Sequence, residues 1–266
     1  MHDKHADMVT TARTGDRAAL EKLVRVAQTP VHRLALRMLA DHTAAEDATQ
    51  EILIRIMTNL ASFRGDSAFL TWVHRIAMNH LLTAKRILAR DPELTFDMFE
   101  EDLMNGLADE TATNAEDHVL LNELRIGCTM AMLLCLDRDH RAAYVLGDVL
   151  EFDHVQASAI LQIAPATYRK RLSRARAKVI DFTARTCGMA SPDAACACPR
   201  RLAAAQSANR VGHRTYADAP DWAALRDQAH QTKAALVAGK LQRATGALEA
   251  PAALAARVLS LVDPPG

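Results

Sequence analysis

Between Thr167 and Lys178 the chain carries six cationic side chains, Arg169, Lys170, Arg171, Arg174, Arg176 and Lys178, and no acidic one. Cations at helical spacing hold phosphates, and those that reach a major-groove edge read bases. On a helical wheel from Pro165 to Val179 with Arg169 at zero, Ser173, Arg176 and Ala166 fall within about 60° of it. Tyr168, Leu172, Ala175 and Val179 gather elsewhere as a packing face. Pro165 suits a first helical turn, where no backbone N–H is required. Asp153 to Leu161 reads as a short helix just before, so the pair predicts a helix-turn-helix whose second helix, opening near Pro165, enters DNA. A basic amphipathic helix also suits a membrane surface or a partner protein. The short helix in front of it favours DNA.

A second constellation lies upstream. With Ser67 to Leu88 on a helix and Arg75 at zero, Thr71, Asn79, Leu82 and Arg86 fall within about 40°. Val73, Ala77, Leu70 and Leu81 fall opposite and predict a core face. The polar face offers guanidiniums, an amide and a hydroxyl, with Trp72 at its edge. Such a face holds phosphate and stacks on or bonds to unstacked bases, or is simply solvated. Earlier still, Glu46 and Gln50 share a helical face, as do Asp47 and Glu51. Alone, that is an acidic first turn favoured by the helix dipole.

The elements that must position these residues read as helices. Aromatic content is only 4% and Ala is abundant, which favours helix over sheet. Residues 15–40 predict a helix or helix pair that Pro30 kinks or divides. Further helices are predicted from Thr43 to Leu60 and from Ser67 to Leu88. The net charge of zero conceals a division, because residues 91–123 carry 11 acidic and no basic side chains. Residues 91–117 therefore predict an acidic linker, with short helical pieces around Phe96 to Leu103. Residues 118–183 predict a compact helical domain. Residues 184–266 predict a Cys-containing extension with an Ala-rich helical end, in which Trp222, Leu225, Leu236, Val237 and Leu241 form an apolar stripe. No run is long and apolar enough to span a bilayer, and no apolar signal core follows Met1, so a cytoplasmic protein without membrane insertion is expected.

Glu46-Asp47-Ala48-Thr49-Gln50-Glu51, followed by Phe63-Arg64-Gly65-Asp66-Ser67-Ala68-Phe69-Leu70-Thr71-Trp72-Val73-His74-Arg75-Ile76-Ala77-Met78-Asn79, closely resembles region 2 of an extracytoplasmic-function (ECF) bacterial sigma factor. Thr167 to Lys178 resembles the end of sigma region 4. The resemblance implies an all-α protein: a region 2-like domain over 1–90, an acidic linker over 91–117, a helix-turn-helix region 4-like domain over 118–183, and the extension over 184–266. It implies that Glu46, Asp47, Gln50 and Glu51 dock on core RNA polymerase. It places Phe63, Arg64, Ser67, Thr71, Trp72, Arg75, Asn79, Lys85 and Arg86 on the −10 promoter element, with Trp72 alternatively in the core. It places Thr167, Arg169, Lys170, Arg171, Ser173, Arg174 and Arg176 on the −35 element. The implied partners are core polymerase, promoter DNA and an anti-sigma factor, with no cofactor required and no catalysis by this chain. Three departures stand in the first helix of the pair: Gln162 where the family has a turn glycine, Ala164 where a Ser or Thr cap is common, and Val155-Gln156-Ala157 in place of an acidic pattern.

The cysteines divide. Cys128 and Cys135 sit in an apolar run and predict small buried hydrophobes. Cys187, Cys196 and Cys198 cluster beside Gly and Pro. They suit zinc or another thiophilic metal, a redox-responsive cluster, or plain loop residues. His213 is a candidate fourth ligand by proximity. Two other function classes stay open: a stand-alone helix-turn-helix regulator, and a metal-responsive DNA-binding sensor. No phosphate-binding glycine loop or nucleophile–base pattern supports an enzyme.

Overall fold

The computed structural model describes residues 4–84, 87, 89, 91, 93–108, 117–214, 216, 219–232, 234–245 and 248–262. Among these residues every regular element is helical, apart from an isolated parallel bridge between Cys187 and Cys196. The chain forms two compact units. One contains Met1–Asp91, Asp153–Tyr168 and Leu248–Gly266, and the other Pro92–Phe152 and Arg169–Ala247.

In the first unit, α1 (Ala6–Arg13), α2 (Arg17–Leu39), α3 (His42–Thr58) and α4 (Phe69–Thr83) form a helical bundle. Leu23, Val24, Val31 and Leu34 of α2 and Ile52, Leu53 and Ile56 of α3 are buried, and the two helices pack together. Each such side chain contributes about 1.5–3 kcal/mol by leaving water. The helix starts are written in the sequence. Asp16 accepts from Ala19 N at 2.8 Å and Asp41 from Ala44 N at 2.6 Å, each cap contributing about 1 kcal/mol. Of the two readings of residues 15–40, the single helix is the one observed: α2 runs through Pro30. The ring removes one backbone donor, but buried Ala27 and Val31 hold the helix on either side. α4 is also shorter than expected. Ala68 is extended and Ala84 leaves the helical region, so Ser67 precedes the helix rather than opening it.

The chain returns to this unit twice. α8 (defined below) packs against α4, and a last helix packs against α2 and α3.

In the second unit, α5 (Phe96–Met104), α6 (Asp117–Leu134) and α7 (Arg138–Tyr144) precede α8 (His154–Leu161) and α9 (Pro165–Thr186). α8 and the first four residues of α9 belong to the first unit, and Arg169 onward belongs to the second. α5 is the helical piece expected within the acidic segment. Phe96 and Phe99 of α5 meet Phe182 of α9 with ring centroids 5.1 and 5.6 Å apart. Glu100 pairs with Arg185 at 2.9 Å. Asp102 pairs with Arg201 at 3.3 Å and Arg210 at 2.5 Å; the Arg210 hydrogen bond holds its carboxyl below the ordinary range.

The extension is folded as α10 (Cys198–Ser207), α11 (Trp222–His230), α12 (Ala234–Arg243) and α13 (Leu254–Val262). Trp222, Leu225, Val237 and Leu241 form one core with Leu121 and Leu124 of α6; the side chain of Leu236 lies outside the described residues.

Candidate nucleic-acid interface

The acidic residues of α3 stand opposite its core face. Ala45, Ala48, Thr49 and Ile52 are buried, while Glu46, Asp47, Gln50 and Glu51 are half-exposed. Glu51 lies 3.3 Å from the buried His80 imidazole of α4, and Glu46 lies 4.0 Å from Arg257 of α13. In the same unit, Glu249 bonds Thr29 at 2.8 Å and Arg33 at 3.0 Å, and Gln28 accepts from Ala255 N at 2.9 Å. α13 and the residues before it are thus fixed to the helices that carry the acidic face.

On α4 and the loop before it, the structure separates the predicted residues into two sets. Arg64, Ser67, Thr71, Arg75 and Asn79 are exposed or half-exposed. Phe63, expected to meet DNA, and Trp72, expected to meet DNA or to lie in the core, are 7% and 4% exposed. Their rings lie 5.4 Å apart and edge-on, beside Phe69. Each aromatic ring buries a large apolar area and gains more from an edge-to-face partner. Between the two sets, Gly65 turns the loop at φ +80°, a conformation that favours glycine. Arg13 donates to the Phe63 carbonyl at 3.4 Å and anchors the loop's start. Lys85 and Arg86 lie outside the described residues.

α8 begins with a capping box. The Asp153 carboxylate accepts from Val155 and Gln156 N at 2.8 Å each, and the Gln156 side chain reaches back to Asp153 N at 3.4 Å. Gln156, which departs from the family's acidic pattern, therefore has a local task. Gln162 takes the left-handed turn itself, at φ 54°. That conformation costs an L-residue about 1–2 kcal/mol, which a glycine avoids. The turn closes with Ile163 N donating to Ser158 O at 3.1 Å.

Along α9, Tyr168, Leu172, Ala175 and Val179 are buried, as the wheel predicts. Thr167, Arg169, Lys170, Ser173, Arg174 and Arg176 are exposed. The cations differ in what already holds them. Arg176 grips Asp148 with three contacts of 2.5–2.9 Å, and Arg171 pairs with Asp139 at 2.5 Å. Arg169, Lys170 and Arg174 make no ion pair among the described residues.

Cys128 of α6, expected to be a small buried hydrophobe, packs against the core and lines the same cavity as Cys187, Cys196 and Cys198. Burial pushes the thiols of Cys196 and Cys198 up to about 11 and about 12, and those of Cys128 and Cys187 upward as well. His213 is not among these lining residues: it is exposed and its Nε2 lies 3.0 Å from Asn209 O. Among the described residues no three His, Cys, Asp or Glu side chains stand in coordinating positions as placed. No helix among them is long and apolar enough to cross a membrane.

Comparison with known proteins places the Sigma-70 region 2 model on residues 23–90 and the Sigma-70 region 4 model on residues 126–179. The chain is 34% identical over 183 residues to the ECF RNA polymerase sigma-E factor of Escherichia coli strain K12, which covers 66% of this chain and 93% of that protein. It is 31% identical over 176 residues to the ECF RNA polymerase sigma factor SigE of Mycolicibacterium smegmatis, which covers 65% of each. Among solved structures, that of CnrH in complex with the cytosolic domain of CnrY matches with a TM-score of 0.47 and 20% identity, over 64% of this chain and 91% of that one. Both family models end before Cys187.

Proposed function

This chain belongs to the ECF family of RNA polymerase sigma factors and directs the polymerase in transcription initiation, and we propose that three of its surfaces divide that task. Glu46, Asp47, Gln50 and Glu51 of α3 dock on the core enzyme. Arg64, Ser67, Thr71, Arg75 and Asn79 hold the unstacked −10 strand, and Lys85 and Arg86, outside the described residues, are assigned the same task. Held bases offset their lost stacking through hydrogen bonds and phosphate contacts. Phe63 and Trp72 act beneath that surface, as the rigid floor that keeps it in register. On α9, Arg169, Lys170 and Arg174, with Thr167 and Ser173, meet the −35 duplex. Arg171 and Arg176 start from ion pairs with Asp139 and Asp148, which orient them and reduce their net gain on DNA. Catalysis belongs to the polymerase, and the chain works where the polymerase is, in the cytoplasm.

The observation that carries this reading is the exposed trio Arg169, Lys170 and Arg174, with no ion pair among the described residues, on a helix entered through a capped helix and a left-handed turn. The extension adds control of α3. Because α13 lies on α2 and α3, with Arg257 beside Glu46, it holds the docking face in its free form. Run-off transcription with bacterial core polymerase tests both parts, using the full chain and one ending at Ala247. Specific transcripts from either form support the sigma assignment of these surfaces. A higher polymerase affinity of the shorter form supports the role of α13, and equal affinity refutes it. Tight, specific duplex binding without polymerase, and no transcript with it, would favour a stand-alone helix-turn-helix regulator.

A further inference from the structure

The second unit holds a cavity of about 50 Å³. Phe99 and Leu103 of α5, Met132 of α6, Phe182 of α9, Met189 and Leu241 of α12 make its lining largely apolar. One charged side chain interrupts that lining. Arg125 of α6 is 2% exposed, and its Nε and Nη1 have no hydrogen-bond partner. Its Nη2 reaches the neutral Asn122 Oδ1, at 3.4 Å. A buried guanidinium that lacks an anion and acceptors is unfavourable, and burial holds Arg125 below its ordinary range.

Nothing else on the wall supplies the missing charge. No carboxylate lines the cavity among the described residues. Burial pushes the Cys196 and Cys198 thiols up to about 11 and about 12, and those of Cys128 and Cys187 upward too, so the sulfurs stay neutral near pH 7. The Thr129 and Thr183 hydroxyls donate within their own helices, to Ile126 O at 2.8 Å and Val179 O at 2.6 Å. Asp102 lines a neighbouring cavity that shares Phe99, Leu103 and Cys128, but it is already paired with Arg201 and Arg210.

We propose that this cavity binds a small monocarboxylate of the acetate and propionate class, with Arg125 as its anion-binding residue. Volume sets the size. One water takes roughly 10–15 Å³ of such space, so the cavity takes roughly three to five heavy atoms, a range that includes both molecules. Chemistry sets the charge and the shape. A carboxylate neutralises the guanidinium and accepts from its free N–H groups, with the thiols as further weak donors. Its alkyl end meets rings and thioethers, where an anion that is polar all round, such as nitrate or phosphate, would leave oxygens without donors. A bound carboxylate braces the 187–198 segment and α12 against α9, the helix that carries the −35 cations. The site goes beyond the promoter-binding assignments above and does not rest on them.

The test titrates acetate, then propionate, into the full chain, reduced and in carboxylate-free buffer at fixed ionic strength. So small a ligand binds no tighter than on the order of tens of micromolar, so the titration extends into the millimolar range. The expected result is saturation at one site per chain, with a raised unfolding midpoint that acetamide and equimolar chloride do not produce. Hexanoate, too long for the cavity, should bind more weakly than propionate. Arg125→Met should weaken acetate about 30-fold or more, and should raise the midpoint of the ligand-free chain by removing an unpaired buried charge. Readouts on the parent chain guard against a misfolded variant: saturating acetate should slow alkylation of Cys187, Cys196 and Cys198 more than that of Cys135, which is not among the lining residues. Acetate no more effective than chloride or acetamide, affinity unchanged in a folded Arg125→Met chain, hexanoate bound as tightly as propionate, or lining thiols alkylated equally fast with and without acetate would each overturn the proposal.

Discussion

α4 and α9 each turn a polar face outward over a packed one, but they commit their side chains differently. On α4 and the loop before it, the aromatic members Phe63 and Trp72 are buried, and what remains outward among the described residues of the predicted set is Ser67, Thr71 and Asn79, with Arg64 and Arg75 as its cations. On α9 the packed side is buried cleanly and the outward side is almost wholly cationic, yet Arg171 and Arg176 are already held by aspartates. The two faces therefore suit different forms of DNA. A platform of amide, hydroxyl and sparse charge suits single-stranded bases. A dense cationic helix suits a duplex with two phosphate walls. The difference also teaches that a residue's type and face do not fix its role, because a neighbouring ring or carboxylate can claim it first.

The largest effect that would break this comparison is on Trp72. Trp72→Ala should destabilise the first unit by about 3–5 kcal/mol, seen as a lower urea midpoint. Activity lost at elevated temperature should return on cooling if the ring is a floor. A stable variant with lost −10 binding would instead place the ring on DNA. Next, Arg169→Ala should weaken promoter binding by about 1–3 kcal/mol, measured on the holoenzyme. Gln162→Gly should stabilise the turn by about 1 kcal/mol, by relieving the left-handed strain, and would show as a raised unfolding midpoint with unchanged promoter preference. Smallest is Arg176→Ala. Its ion pair is half exposed on the arginine side and contributes about 0.2–1 kcal/mol, and its removal should lower affinity on all promoters alike while shallowing the salt dependence.

The face of α9 was legible because a 3.6-residue period needs no distant information: Tyr168, Leu172, Ala175 and Val179 sort themselves. The caps at Asp16, Asp41 and Asp153 are equally local. Pro30 left one helix or two open because its penalty is local while the packing that overrides it is not. Trp72 was ambiguous because an amphipathic ring serves either a core or a base stack, and the burial of Phe63 depends on Phe69 and Trp72, which the fold brings beside it. Cys128 in its apolar run reads as a small hydrophobe and packs against the core as one; only the fold shows that it lines a cavity with Cys187, Cys196 and Cys198. The packing of Phe96 and Phe99 on Phe182 is of the same long-range kind and folds part of an acidic segment that composition assigns to a linker.

The central claim is that cations unclaimed within the chain read bases and tethered ones hold phosphate. Selection from a library of randomised −35 elements, using holoenzymes reconstituted with Arg169→Ala and with Arg176→Ala, tests it most directly. The account predicts that Arg169→Ala flattens the preference at one or two base positions, whereas Arg176→Ala weakens every sequence equally and leaves the preference intact. A uniform loss from both variants would contradict it and reduce α9 to a phosphate clamp.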